Sequence, residues 1–432
     1  MKMNRLTIAI LIGMLLGILV GQLVRSLATD PATIASFVDN ITLLTDIFLR
    51  LIKMIIAPLV FTTLTVGIAK MGDTKTVGRI GMKTMGWFMT ASLLSLSLGL
   101  VMVTLLKPGV GLDLAVPEVT AATGLAKGSI TLKEFISHAI PKSVVEAMAN
   151  NEILQIVIFS LFFGLAAAAV GERAKPVVTL LNATADIMLK VTGFVMGFAP
   201  LAVFAAIAAM VAKEGVGILG TYGTFMAQFY LSIGTLWVLL LGMGALFLGK
   251  RVIELLRAVR EPALLAFSTA SSEAAYPKTL ERLEHFGCPK RIASFVLPMG
   301  YSFNLDGSMM YCTFATLFIA QAYGIDLSFG QQITMLLLLM VTSKGMAGVP
   351  RASLVVIAAT LSQFHIPEAG ILLLLGIDHF LDMGRSATNV LGNALAASVV
   401  AKSEGGLTEA LSQEEILALN SAAPASAAPA YE

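Results

Sequence analysis

Charge is scarce in this chain. Of 432 residues only 13% are Asp, Glu, Lys or Arg, against 57% hydrophobic, and the formal net charge is +2. No soluble globular domain of this length needs so little charge, and the near-neutral balance carries no sign of a nucleic-acid partner. Cysteine is nearly absent: Cys288 and Cys312 are the two, with neither paired nor metal-ligand spacing. The four histidines, His138, His285, His365 and His379, are scattered, which argues against a zinc site. No Ser–His–Asp arrangement, HExxH or phosphate-binding loop appears, so the chain is not expected to be an enzyme or to need a cofactor.

What is abundant is apolar sequence in runs near the length of a bilayer crossing. Candidate spans fall at 6–24, 41–69, 81–106, 153–170, 177–211 (broken at Gly193, Gly197 and Pro200) and 215–248. A polar connector containing Asp30, Pro31 and Asp39 precedes the second, and a basic loop with Lys70, Lys75, Arg79 and Lys83 precedes the third. Lys2 and Arg5 flank the first run with no small-residue cleavage site after it, so a retained helix with a cytoplasmic N-terminus is expected. Residues 107–150 read as an external loop followed by short interfacial helices at 132–138 and 144–148.

After residue 255 the pattern changes. Residues 263–276 are too polar to span, and basic residues lie on both sides (Arg257 and Arg260, then Lys278 and Arg282). Both ends therefore belong to one face of the membrane, as in a re-entrant hairpin with its tip at Ser271, Ser272 and Glu273. Residues 292–323 span with an interruption at 301–308, and 331–365 form a second hairpin, broken at 342–353, that enters from the opposite face. The last span carries a polar motif. The expected fold is an all-α polytopic membrane protein with eight transmembrane helices and two re-entrant hairpins in inverted repeats. Such repeats, with interrupted segments meeting at mid-membrane, characterise secondary transporters. Residues 403–432, rich in Ala, Ser, Glu and Pro, read as a disordered cytoplasmic tail.

The motif is I-D-H-F-L-D-M-G-R-S-A-T-N-V-L-G-N, residues 377–393, set between the apolar runs 371–375 and 394–401. On a helix, Asp378, Asp382, Arg385, Ser386, Asn389 and Asn393 fall within an arc of roughly 100°. An internal Asp–Arg pair that fixes packing is one explanation. The expense of charge at bilayer depth favours the other, a polar face that binds a small charged solute. The hairpin tips add hydroxyls and free backbone N–H groups, suited to a carboxylate, at Ser271 and Ser272 and at Gly348, Val349 and Pro350. Asn304 and Asp306, in a helix break, offer hard oxygens for a small cation or caps for freed backbone groups.

With these motifs in place, the chain resembles the dicarboxylate/amino acid:cation symporter family, on S-S-E-A-A-Y-P (271–277), N-L-D-G-S (304–308), G-V-P (348–350) and D-M-G-R-S-A-T-N-V-L-G-N (382–393), over residues 4–402. The resemblance implies an elevator mechanism in a homotrimer of the bacterial plasma membrane. Residues 1–255 would supply mainly scaffold, the third span moving with the transport domain, and 256–402 the transport-domain core with the second hairpin as external gate. It also implies that Arg385 binds the substrate's side-chain carboxylate and Asp382 its amino group. Asn389, Ser308, Ser272 and the Val349 backbone would hold the α-carboxylate and nearby atoms. Cation sites would use Gly300, Asn304, Asp306, Asn389, Asn393, Ser92 and hairpin carbonyls near Ser343. The chemistry is consistent: a guanidinium forks onto a carboxylate, and an acid one turn away selects an ammonium, which together describe aspartate or glutamate.

Several residues depart from the family pattern. Asn393 stands where sodium-coupled members carry an aspartate, and Phe88 and Ala91 replace a tyrosine and a threonine, leaving Ser92 alone. Glu273 sits on the first tip where many members have serine, which makes it a candidate proton carrier or an ordinary cap. Arg351 adds a positive charge near the gate. The expected function is import of acidic amino acids coupled to H+ and/or Na+. The alternatives are a C4-dicarboxylate symporter of the same fold, which gains nothing from Asp382, and an anion channel.

Overall fold

The computed structural model describes residues 5–28, 30–69, 74–110, 140–215, 222–343, 352–375 and 377–410. Among the described residues there are helices and no strands. Five helical stretches are long and apolar enough to cross a membrane: Ile8–Leu27, Pro31–Ala69, Lys75–Leu106, Ile153–Met196 and Gly223–Leu248. Large apolar side chains on them, including Leu19, Leu105, Phe162 and Leu246, point outward. Such a surface is stable only against lipid or another apolar partner.

The first helices are α1 (Arg5–Leu27), α2 (Pro31–Ala69) and α3 (Thr74–Leu106). The connector expected around residues 30–40 is instead the start of α2. Pro31 occupies the first helical position, where a missing N–H costs nothing, and Asp30 Oδ1 accepts from Ala32 N at 3.1 Å. Likewise Arg79 and Lys83 lie on the first turns of α3 rather than in a loop. Then come α4 (Val144–Ala149), α5 (Ile153–Val170), α6 (Lys175–Met196), α7 (Ala199–Glu214) and α8 (Gly223–Leu248). The break expected near Gly197 separates α6 from α7, with Pro200 in the first turn of α7.

Helix α1 lies along α7 at very close range. Gly13, Gly17 and Gly21 recur every fourth residue, and a Cβ on them would come within 2.6, 2.7 and 2.6 Å of the Pro200, Phe204 and Ala208 carbonyl oxygens. Small residues at this spacing let helix backbones touch, which is how helices associate where lipid removes the hydrophobic drive. Helix α2 packs on α5, α6 and α7, so these five elements form one neighbourhood.

The second neighbourhood surrounds the last helix. Helices α9 (Arg251–Thr269) and α10 (Tyr276–His285) fold back on each other through a turn at 270–272. Next are α11 (Lys290–Phe303), α12 (Asp306–Ala322), α13 (Phe329–Thr342), α14 (Ala352–Gln363), α15 (Leu372–Leu375) and α16 (Asp378–Ser403). Helix α16 packs against α9, α8, α11, α12 and α3, and almost every residue from Met383 to Ala401 is buried. The apolar run 371–375 does not continue into α16. It forms a short 3-10 turn and α15, so the polar motif begins a helix instead of lying inside one.

Candidate functional site

Three helix interruptions carry the polar groups. Pro298 within α11 removes one backbone donor, and α11 ends at Asn304, whose extended φ of −135° breaks the helix before α12 restarts at Asp306. The start of α16 at Asp378 is the second, and the turn between α9 and α10 is the third. Asn304 and Asp306 are 0% exposed, and Arg385 is 2% exposed.

The ionic part of the site belongs to α16. Arg385 Nη2 lies 3.1 Å from Asp378 Oδ1 and 3.0 Å from Asp382 Oδ1, and Nε donates to Asp382 Oδ1 at 3.1 Å. Tyr311 on α12 donates its hydroxyl to Asp378 Oδ1 at 3.1 Å, and its ring lies 4.0 Å from the guanidinium carbon. The internal Asp–Arg pair raised by the sequence is therefore present, but it leaves the guanidinium unsaturated: the buried Arg385 Nη1 makes no hydrogen bond. A buried donor without a partner is costly, by about 1–3 kcal/mol. Asp378 is held at 7% side-chain exposure, while Asp382 keeps 37% and so opens outward.

Next to it lies a neutral part. Asn389 Oδ1 accepts from Gly307 N at 2.9 Å and Ser308 N at 3.4 Å, and its Nδ2 donates to Ser308 Oγ at 3.2 Å. The side chain of Asn389 thus caps the free N–H groups at the start of α12. Close approach requires Gly307, where a Cβ would lie 2.6 Å from the Arg385 carbonyl oxygen. Ser386, on the same arc, is buried.

One turn further along α16, a buried chain of oxygens and amides runs from helix to helix. Ser95 Oγ donates to Asp306 Oδ1 at 3.1 Å, Asn304 Nδ2 to Asp306 Oδ2 at 3.0 Å and to Asn393 Oδ1 at 3.2 Å. Asn304 Oδ1 is left without a donor, an acceptor of the kind a small cation takes. The Gly300 carbonyl accepts Asn304 N at 2.8 Å and retains one lone pair. Gly300 and Gly392 leave room for this chain, since a Cβ on either would collide with Asn393 Oδ1 or Asp306 Oδ2.

The remaining expected residues divide. Ser92 is buried on α3, one turn before Ser95. Ser343 is buried at the end of α13 with its hydroxyl unbonded. Gly348, Val349, Pro350 and Arg351, the second tip, lie outside the described residues, as do 132–138 and most of the tail. At the first tip, α9 ends on Ala270 in the left-handed conformation (φ 48°), and Ser271 Oγ accepts from Ala274 N at 3.2 Å. That hydroxyl caps the following turn by accepting, and keeps its own proton to donate. Ser272 and Glu273 are half-buried, and Glu273 lines a small void with Ile56, Pro298, Tyr276 and Tyr301, towards α2 and α11. Among the described residues no three His, Cys, Asp or Glu side chains gather as a metal ligand set. Tyr311 and Ser95 were not expected. The signal for Ser95 was present, a hydroxyl one helical turn from Ser92. Tyr311 meets Asp378 only through the packing of α12 on α16.

Residues 6–403 match the model of the Sodium:dicarboxylate symporter family. The chain belongs to that family. It is an integral membrane protein by this membership and by its apolar helices. Among curated relatives, the proton/sodium-glutamate symport protein of Geobacillus stearothermophilus is 42% identical over 88% of this chain and 91% of its own. The proton/glutamate-aspartate symporter of Bacillus subtilis is 39% identical over 87% and 91%. The C4-dicarboxylate transport protein of the same organism is 39% identical over 86% and 89%. The resemblance read from the four motifs is thus a family relationship over nearly the whole chain.

Proposed function

We propose that this symporter-family chain carries acidic amino acids across the bacterial plasma membrane, coupled to protons and/or sodium. The observation that carries the reading is the guanidinium of Arg385, buried between two acids with Nη1 unbonded. A solute carboxylate that docks on Nη1 completes the fork. It then competes with Asp382 for Nε and Nη2. A displaced Asp382, half-open already, is free to take an ammonium. The exchange swaps one carboxylate for another at Arg385, and the one net negative charge that an acidic amino acid brings is what the coupled cations offset. The second N–H of Asn389 Nδ2 and the hydroxyl proton of Ser308 supply donors for the second carboxylate, with Ser272 and the tip at 348–350 closing the site.

The cation is held by Asn304, Asp306, Asn393 and the Gly300 carbonyl, with Ser92 and Ser343 in supporting positions. Asn393 in place of an acid lowers the negative charge there, and Glu273 carries the coupled proton. The molecule crosses the membrane eight times with two re-entrant hairpins and works as a homotrimer with its N-terminus in the cytoplasm. Residues 256–402 and α3 slide as an elevator against a scaffold drawn from the rest of 1–255. The packing of α3 on α12 and α16, apart from the neighbourhood of α1, α2 and α7, supports the place of α3 in the moving part.

The second reading is C4-dicarboxylate transport, favoured by the relatives of that name and by an Arg385 that needs only a carboxylate. Uptake of labelled aspartate into proteoliposomes under imposed proton or sodium gradients tests the proposal. Accumulation against the aspartate gradient, competed by glutamate better than by succinate, is expected. Stronger competition by succinate transfers the assignment to dicarboxylates, and gradient-independent conductance without accumulation removes the symporter.

A further inference from the structure

Behind the binding helix lies a cavity of about 400 Å³. Its walls come from α8, α9 and α16 and are apolar, with Trp237, Leu256, Ala263, Phe267, Ala387 and Leu391 among them. Tyr230 is the exception on α8, and its hydroxyl is already committed to the Phe380 carbonyl. Arg260 stands at the rim and is exposed. The volume lies in the range that ligand pockets fill, about 300–1,000 Å³. Water does not suit it, because ordered water needs two to four polar partners. An apolar void of this size left empty is unfavourable, and the chain sits in a solvent of acyl chains.

The rim says which lipid. Arg257 lies one turn before Arg260, beside the lining face of α9, and is also exposed. Among the described residues neither guanidinium makes a hydrogen bond or an ion pair; of the two acids on α9, Glu254 pairs with Arg251 and Glu261 with Arg282 and Lys278. Two unpaired guanidiniums beside the mouth of an apolar cavity match a phosphodiester headgroup above an acyl tail. We infer that the cavity between α8, α9 and α16 is a binding site for one anionic phospholipid, its tail against Trp237 and Ala387 and its phosphate on Arg257 and Arg260.

The site bears on transport through geometry. Gly384, Ala387 and Leu391, which line the cavity, lie about 180° around α16 from Asp382, Arg385 and Asn389 at the helical pitch. A tail in the cavity braces the turn that carries the guanidinium. Gly384 sets the tightness of the contact, since a Cβ on it would lie 2.9 Å from the Tyr230 ring.

The chain has two tryptophans, Trp87 and Trp237, so a Trp87→Phe variant reports the cavity alone. In phosphatidylcholine proteoliposomes containing a low fraction of lipid brominated in its acyl chains, brominated phosphatidylglycerol should quench Trp237 more than brominated phosphatidylcholine at the same fraction. Each guanidinium favours the anionic headgroup by about fivefold, so the excess should saturate early. Arg257→Gln/Arg260→Gln should reduce quenching to the phosphatidylcholine level, while Arg257→Lys/Arg260→Lys, which keeps the charge, should retain most of the excess. Equal quenching by the two lipids overturns the inference, as does an excess that survives the glutamine pair. Suppression of the excess by inorganic phosphate in the buffer would show a soluble-anion site and overturn it equally. The readout needs no substrate, so it stands or falls apart from the transport assignment.

Discussion

Gly392 faces the Asp306 carboxylate with no room between them for a Cβ. The contact joins α16 to the break between α11 and α12, and the chain from Ser95 through Asp306 and Asn304 to Asn393 depends on it. Gly392→Ala should push the two helices apart at a buried polar cluster, which costs about 1–3 kcal/mol by overpacking. Thermal unfolding in detergent should show the loss, and uptake should fall with it. Gly234→Ala, where a Cβ meets nothing within 4 Å, should leave both unchanged.

Asp382→Ala separates the two substrate classes. It leaves Arg385 with Asp378 alone, so a carboxylate reaches the guanidinium with less competition while an ammonium loses its partner. Aspartate uptake should weaken by at least about tenfold, the loss of one charge-assisted contact, while succinate should inhibit as well as before or better. Aspartate uptake unchanged in this variant would remove the amino-group role of Asp382.

The break at Asn304, the turn near 270 and the end of α6 were legible in the sequence because each carries its own local cause: a proline, an asparagine, a glycine, a polar tip between apolar arms. The polar arc of α16 was legible for the same reason, since Asp378, Asp382, Arg385, Asn389 and Asn393 are spaced by one helix's own period. What crosses between helices was not. Tyr311 contacts Asp378 from 67 positions away, and Ser95 contacts Asp306 from 211. Periodicity within either partner says nothing about such a meeting. The start of α2 was misjudged because Asp30 and Pro31 read as a loop, although the same two residues cap a helix.

Asn393→Asp adds an acid beside Asn304 and Asp306. If the neutral amide weakens a sodium site there, the variant should gain sodium-dependent uptake, read as a rise in initial rate on replacing choline by sodium. A rate that ignores sodium in the variant as in the parent would place cation binding elsewhere.

At the far end of α16, Glu404 is gripped by Arg79 at 2.8 Å and Lys83 at 2.6 Å. The hydrogen bond from Arg79, followed by the bond and charge of Lys83, holds its carboxyl down at about 2 from an ordinary 4.5. Because the folded value is depressed, this contact stabilises fully above about pH 4.5 and is lost as the pH falls towards 2. Arg79 and Lys83 are themselves 55% and 36% exposed, so water screens the pairs and about 1 kcal/mol is the expected size. Glu404→Gln should lower the unfolding temperature at neutral pH, and the gap from the parent should close as the pH drops through that window. A gap independent of pH would mean that the carboxylate charge contributes nothing.

Equilibrium binding of labelled aspartate to the purified protein, compared with Arg385→Lys, tests the site most directly. The parent should bind saturably and release the label to glutamate. The lysine variant keeps the charge but lacks the planar fork, and its affinity should fall by at least about tenfold. Binding of equal affinity in the two proteins would contradict the assignment of Arg385 as the group that holds the solute.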